Sequence, residues 1–176
     1  MPLSAKTSQF IKEHLFDDVR TLALQAGNYP QVNMKEAIVQ ICGRQSIKEK
    51  IPSWYVTEGI YYPHRLPLEQ CSSEASARYK ASLLKGESLT DVTGGFGVDC
   101  AFLSANFHKV VYVERQKELC EIATHNFSIL GLRHITTENE DAVGYVQKME
   151  EVDCIYIDPA RRNTCGKKLI KLADCE

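Results

Sequence analysis

The chain has 176 residues, 44% of them hydrophobic and 25% charged, a composition typical of a one-domain soluble globular protein. Its formal net charge of −2 excludes the overall basic field of a free-standing nucleic-acid-binding module. The seven cysteines form no Cys-x-x-Cys pair, no apolar run approaches the roughly 20 residues that span a bilayer, and the N-terminus lacks a secretory signal. We therefore expect a cytoplasmic protein with reduced cysteines, no metal site and no membrane association.

Helices are predicted for the first third of the chain. Apolar residues recur at three- and four-residue steps over 10–26, which predicts one helix that ends at Gly27. Capping boxes predict a second helix that begins at Asn33 and a short third helix over 46–52. Packing is the expected role of this helical region.

An aromatic, proline-punctuated connector follows over 54–67. Its tyrosines lie close in sequence to His64 and Arg65 and could stack on a nucleic-acid base. The alternative is an ordered linker that packs on the rest of the protein. The linker is the interpretation that we favour, and base stacking is its alternative.

Strands alternate with helices in the remainder of the chain. A helix over 72–84 is expected to bury a stripe formed by Ala75, Tyr79 and Leu83. After it we predict four strands (88–92, 109–114, a short one from His134, and 153–159) and three helices (98–106, 119–132 and 142–149). This alternation predicts an α/β fold with an open parallel sheet.

A glycine-rich loop follows the first strand, at the edge where such sheets bind ligands. Its residues are Asp91, Val92, Thr93, Gly94, Gly95, Phe96 and Gly97. A nicotinamide fingerprint would have a third glycine where Cys100 stands, and the Asp91 carboxylate would repel a pyrophosphate. The pattern better suits S-adenosylmethionine, which has an ammonium and a sulfonium, and we expect Asp91 to accept a hydrogen bond from the ammonium.

Two more carboxylates follow strands two and three. Glu114 closes the second strand, where a carboxylate can accept hydrogen bonds from both ribose hydroxyls of a nucleoside. Asp141 stands where a carboxylate could accept from the adenine amino group. The alternatives are a solvated strand end for Glu114 and a helix N-cap for Asp141.

The fourth strand ends in Asp158-Pro159, a turn that would present the acid to a methyl acceptor. Catalysis at such a site is mainly alignment of the acceptor with the methyl donor. Arg161, next to Arg162, could bind phosphates of a nucleic acid, or could begin a solvated basic tail.

These segments resemble a known family. "DVTGGFGVD", "VYVE" and "IYIDPARR" together resemble class I S-adenosylmethionine-dependent methyltransferases. "LEQCSSEASARYKASLL" resembles, more closely, the bacterial methyltransferases that carry a C-terminal THUMP-like domain. The resemblance implies cofactor contacts by residues of the glycine loop, Glu114 and Asp141. It also implies that the 69–74 segment, with Ser72 and Ser73, closes over the methionine end of the cofactor, and that the substrate is RNA.

Two features depart from these families. The tetrad Asp158-Pro159-Ala160-Arg161 lacks the aromatic residue of amino-group methyltransferases, and it also resembles the turn of the 5-methyluridine RNA methyltransferases. Those enzymes need a cysteine on the next strand, which this chain does not reach. A class I sheet has seven strands, whereas we predict four before Glu176, so we expect a truncated chain, a separate C-terminal domain or a second copy that completes the sheet.

The sequence therefore predicts a helical N-terminal region with its connector over 1–67. It predicts a Rossmann-like class I methyltransferase sheet, incomplete at the C-terminus, over 68–176. We expect methyl transfer from S-adenosylmethionine, with Asp158, Pro159 and Arg161 at the catalytic site and an RNA base as acceptor. The alternatives are a cofactor- or RNA-binding module without turnover and, less favoured, a nicotinamide-dependent oxidoreductase.

Overall fold

The structure, a computed structural model, describes residues 3–159, so Arg161 lies outside the described residues. The α-helices in this range are α1 (Ala5–Glu13), α2 (Val19–Leu24), α3 (Met34–Ile47), α4 (Pro52–Val56), α5 (Arg65–Gln70), α6 (Glu74–Leu83), α7 (Val98–Leu103), α8 (Lys117–Ile129) and α9 (Ala142–Val146). The strands are β1 (Ser88–Asp91), β2 (Lys109–Val113), β3 (Ile135–Glu138) and β4 (Cys154–Tyr156).

The four strands form one parallel sheet in the order β3-β2-β1-β4. Asp91, the last residue of β1, pairs with Tyr112 of β2 on one side and with Tyr156 of β4 on the other. The chain crosses from one side of β1 to the other between β3 and β4. Ligands of open α/β sheets bind beside the carboxyl ends of strands at such a change of direction. The predicted Rossmann-like α/β fold is confirmed.

The helical region packs on this sheet through the connector. The Trp54 ring meets the Phe96 ring edge-on with 5.0 Å between centroids, and both side chains are buried in the main core. Gln40 fixes the connector by donating from Nε2 to the Tyr62 carbonyl and accepting from the Tyr62 N–H, each at 2.9 Å. At Tyr62 the connector is thus a packed linker, and its chain lies against the glycine loop.

A second, smaller core joins the N-terminal helices, and the predicted single helix over 10–26 is wrong. The helix is broken between α1 and α2 because the Asp18 side chain accepts from the Thr21 N–H at 2.9 Å and begins a new helix. The buried members of the smaller core are Phe10, Ile11, Leu22, Met34, Ala37 and Ile41. The separate helix predicted over 46–52 is also wrong, because the Ser46 hydroxyl donates to the Gly43 carbonyl inside α3 instead of capping a new helix.

The predicted stripe of α6 is wrong as well. Tyr79 and Leu83 are 66% and 63% exposed, whereas Ala77 and Ala81 are buried. The helix packs closely on α7, and small side chains allow this approach. The rotation of α6 relative to the prediction brings Lys80 to the edge of the sheet that carries the glycine loop.

Within residues 3–159, no helix is both long enough and apolar enough to cross a membrane. The same range holds no cluster of three or more histidine, cysteine or acidic side chains with the geometry of a metal site. Its five cysteines are unpaired thiols.

Candidate functional site

Asp91 lies at the centre of the carboxyl edge of the sheet and is 1% exposed. Its Oδ1 accepts from the Thr93 N–H at 3.0 Å and from the Thr93 hydroxyl at 3.3 Å. Burial raises the pKa of Asp91 from 3.8 to about 7; the Thr93 hydrogen bonds oppose this rise, and the nearby Asp99 and Glu114 carboxylates add to it. A cation that approaches this acid lowers its pKa and so favours the ionised form.

The glycine loop is a tight turn attached to β2. The Gly97 N–H donates to the Gly94 carbonyl at 2.9 Å, which closes the turn, and the Gly94 N–H donates to the Val113 carbonyl at 3.0 Å. The buried Tyr112 hydroxyl donates to the Gly95 carbonyl at 2.6 Å. These bonds hold the loop backbone in one position above β1.

The three positions of the loop require glycine for different physical reasons. A Cβ on Gly94 would overlap the Tyr112 ring, and a Cβ on Gly97 would lie 2.9 Å from Phe127, at a φ of +84° that favours glycine. Gly95 also has a positive φ, +56°, but within residues 3–159 a Cβ there would meet only the Thr93 carbonyl, at 3.8 Å. Packing therefore explains Gly94 and Gly97, whereas Gly95 borders open space where a ligand can approach the backbone.

Glu114 is 8% exposed and lies directly beside this open space. One carboxylate oxygen accepts from the Gly95 N–H at 2.8 Å, and the other accepts from the Gln116 N–H at 2.7 Å. Asn139 fixes the main chain of Glu114, since its side-chain amide donates to the Glu114 carbonyl at 2.8 Å. The carboxylate is thus held in place with lone pairs left for further donors, and it is not the solvated strand end of the alternative interpretation.

Asp141 has the local role that the alternative interpretation gave it. Its side chain is the N-cap of α9, where Oδ1 accepts from the Val143 N–H at 2.9 Å and from the Gly144 N–H at 3.4 Å. The residue is exposed, and the hydrogen bonds of the described residues do not join it to the loop. Ser73 is likewise an N-cap, of α6, and accepts from the Ser76 N–H at 3.2 Å.

A polar cluster that sequence reasoning missed lies on the other side of β1. Lys80 Nζ is 2.6 Å from the Tyr156 hydroxyl, 2.9 Å from Ser72 Oγ, 3.0 Å from Asp99 Oδ2 and 3.1 Å from Asp158 Oδ2. Ser72 also donates to Asp99 Oδ2 at 2.9 Å. The cluster joins two predicted site residues, Ser72 and Asp158. The three residues that join them, Lys80, Asp99 and Tyr156, were not predicted.

Thr93 connects the two sides of the site. Its hydroxyl accepts from the Asp158 N–H at 2.8 Å and donates to Asp91. The turn at Asp158-Pro159 is thereby fixed against the glycine loop, while the Asp158 side chain stays 41% exposed. The structure therefore brings the predicted acceptor turn next to the predicted cofactor loop.

The site is strongly acidic. Asp91, Asp99, Glu114 and Asp158 surround the glycine loop, and Asp99 Oδ1 is buried with no hydrogen-bond partner among the described residues. Such a field attracts a cationic ligand and repels the pyrophosphate of a nicotinamide cofactor. A groove of about 610 Å³ lies elsewhere, between α1 and the start of α3, and has none of these residues in its lining.

Comparison with solved structures identifies the fold. A Porphyromonas gingivalis W83 protein, provisionally described as a methyltransferase, superimposes with a TM-score of 0.74 at 27% identity over 97% of this chain. The two proteins share one fold. The chain spans 42% of the length of that protein. No protein-family model matches the chain, and no curated protein matches it either.

Two further structures resemble parts of the chain. One is a SAM-dependent O-methyltransferase from Thermotoga maritima, at 23% identity and a TM-score of 0.44 over 49% of this chain and 35% of its own length. The other is a Streptococcus mutans protein in complex with SAH, also provisionally described as a methyltransferase, at 20% identity and a TM-score of 0.39 over 51% of this chain and 48% of its own length. These two similarities are partial, so the identification of the fold depends on the Porphyromonas protein.

Proposed function

We propose that the protein is a methyltransferase that binds S-adenosylmethionine at the glycine loop and transfers its methyl group to an RNA base. The observation that carries the proposal is the pairing of open space at Gly95 with buried carboxylates on both sides of it, Asp91 and Glu114. The Porphyromonas protein, which shares the fold over almost the whole chain, supports methyl transfer as the reaction.

The residues of the site fit this cofactor. Asp91 would accept a hydrogen bond from its ammonium, and Glu114 would accept from the ribose hydroxyls, because both carboxylates face the loop and retain lone pairs. Asp99 Oδ1, which has no hydrogen-bond partner within residues 3–159, is a further acceptor at the site. When bound, the cofactor supplies an electrophilic methyl group. The protein orients the acceptor and excludes water, which accounts for most of the catalysis in such a reaction.

Asp158 is the proposed contact for the acceptor. Its carboxylate is exposed at the end of β4, on the side of the glycine loop opposite to Glu114. The choice of RNA depends on the resemblance to methyltransferases with a C-terminal THUMP-like domain and on the Asp158-Pro159-Ala160-Arg161 sequence. Phosphate binding by Arg161 belongs to the same proposal.

We also propose that polypeptide on the C-terminal side of β4, in a longer chain, extends the sheet. Ile155 and Ile157, on one face of β4, are 44% and 59% exposed, and β4 is one of the two edge strands of the described sheet. The Porphyromonas protein is more than twice as long as this chain. An extended form should be monomeric in light scattering and should bury this edge. A dimer of the present chain, with no change on extension, would favour completion by a second copy.

Calorimetry and radiolabelled transfer test the proposal. S-adenosylhomocysteine should bind with micromolar affinity and NAD should bind far more weakly; tighter binding of NAD would contradict the cofactor assignment. RNA made by in vitro transcription carries no methyl groups. The present chain, or an extended form of it, should transfer radiolabelled methyl groups to such bulk RNA. Binding without any label in either form would favour a binding module.

A further inference from the structure

Lys80 contacts both sides of the candidate site. Its ammonium lies within 3.1 Å of four oxygens, those of Ser72, Asp99, Tyr156 and Asp158. Ser72 belongs to the segment next to the cofactor loop, Asp99 to the first turn of α7, and Asp158 to the acceptor turn. One side chain of α6 therefore bridges three separate segments of the site.

The ammonium has fewer protons than it has acceptors. Lysine has three N–H donors, so the four oxygens share three protons. Tyr156 can compensate in part, since its hydroxyl lies 3.1 Å from Asp99 Oδ2 and 3.4 Å from Asp158 Oδ2 and can donate to either. One acceptor of the cluster is always held less firmly than the rest.

Asp158 is the acceptor that can change its partner. Its side chain is 41% exposed, compared with 14% for Asp99, and its contact with Lys80 is the longest of the four. Asp99 Oδ2 also accepts from Ser72 at 2.9 Å, which holds it in the cluster independently of Lys80. Because Thr93 fixes the backbone of the turn, Asp158 can exchange a hydrogen bond without moving its main chain.

Lys80 keeps its charge in this position. Burial lowers its pKa, but the hydrogen bonds with Tyr156 and Asp99 and the charge of Asp99 raise the pKa above its ordinary value overall. The ammonium therefore stays available as a donor, and the two neighbouring carboxylates balance its charge near a cationic ligand.

We propose that Lys80 is a positioning residue for the methyl acceptor: it orients the Asp158 carboxylate, which then accepts a hydrogen bond from an N–H or O–H group of the acceptor. This proposal rests on the proposed methyl transfer and narrows its substrate class to acceptors that carry a hydrogen-bond donor at or next to the methylated atom. Lys80 acts through Asp158 and retains Asp99 and Ser72 when the acceptor enters.

The test compares Lys80→Met, Lys80→Arg, Asp158→Asn and the double variant Lys80→Met/Asp158→Asn, with the exposed Lys85→Met as the control. Lys80→Met should lower kcat for methyl transfer to transcribed bulk RNA by about 100-fold while the Kd for S-adenosylhomocysteine changes less than about threefold. Lys80→Arg should have a kcat about tenfold higher than that of Lys80→Met, since it retains the charge. The double variant should be no slower than Asp158→Asn alone, because both changes remove one function.

Three results would overturn the proposal. These are an unchanged kcat in Lys80→Met, an equal loss of kcat and of S-adenosylhomocysteine affinity, and additive effects in the double variant. Failure of the proposed function is a separate observation, namely that the unsubstituted protein binds no S-adenosylhomocysteine.

A second measurement does not depend on turnover or on Lys80→Met being folded. In protein labelled with ¹⁵N-lysine, the ammonium signal of Lys80, assigned by its absence in Lys80→Arg, should shift in Asp158→Asn. A signal that does not respond to Asp158→Asn would show that the two side chains do not interact, and would overturn the proposal.

Discussion

The carboxyl group of Asp91 should make the unliganded protein less stable as the pH rises, and Asp91→Asn should abolish this effect. Burial raises the pKa of Asp91 from 3.8 to about 7. Between these values the unfolded chain has lost the proton and the folded chain retains it, so the free energy of unfolding falls with increasing pH. Above pH 7 the full effect is about 4 kcal/mol, since one pKa unit corresponds to about 1.4 kcal/mol.

Urea unfolding at pH 5 and pH 8 measures this effect. The unsubstituted protein should lose about 2–3 kcal/mol more than Asp91→Asn between the two pH values. The comparison cancels the effect of the substitution on packing, because that effect is the same at both pH values. Fluorescence of Trp54, the single tryptophan of the chain, reports unfolding, since its ring is buried against Phe96. An identical pH dependence of the two proteins would refute the raised pKa.

The same group should make cofactor binding depend on pH in the opposite direction. A bound ammonium requires ionised Asp91, and at pH 6 about one tenth of a group with a pKa of about 7 is ionised. The affinity for S-adenosylhomocysteine should therefore be about tenfold higher at pH 8 than at pH 6, with proton release on binding at the lower pH. Asp91→Asn should bind weakly at both pH values. A pH-independent affinity of the unsubstituted protein would show that Asp91 does not meet the ammonium.

Three substitutions test the other parts of the site. Gly95→Ala should weaken S-adenosylhomocysteine binding at least tenfold, whereas Gly131→Ala, which also has a positive φ and open space but lies at the far end of α8, should cost only the backbone strain of about 1–2 kcal/mol in unfolding experiments. Glu114→Gln should weaken binding by about 1–3 kcal/mol, since the new amide would face the N–H donors of the loop, whereas calorimetry should find no change in the exposed control Glu118→Gln. Asp158→Ala should retain cofactor binding and abolish radiolabelled methyl transfer; an unchanged rate would place the acceptor elsewhere.

The strands of the sheet could be predicted from the sequence because their patterns are local. The strands carry β-branched residues, most clearly in the apolar run at 109–113; Asp91 is the last residue of β1, and Glu114 directly follows β2. The alternation with helices then determines which edge carries these acids. The positions of Asp91 and Glu114 beside the loop therefore follow from the order of residues alone.

The polar cluster could not be predicted in the same way, because it depends on the rotation of α6. The large apolar residues Tyr79 and Leu83 suggested one face, whereas close packing on α7 selected the face with Ala77 and Ala81. Two alanines four residues apart were the available indication of a tight helix–helix contact. With that face buried, Lys80 is adjacent to the contact and reaches the end of β4.

The glycines show why a motif is weaker evidence for a ligand than its residues taken one by one. Gly94 and Gly97 would be required even in a protein that binds nothing, since larger residues would collide with Tyr112 and Phe127. Gly95 is different, because the described part of the chain leaves the space beside it open and its N–H is held by a carboxylate that a ribose could share. The case for a cationic nucleoside cofactor therefore depends on Gly95 and the acids around it. A substitution at Gly95 adds only backbone strain, which the Gly131→Ala control measures, whereas one at Gly94 or Gly97 would also disrupt packing.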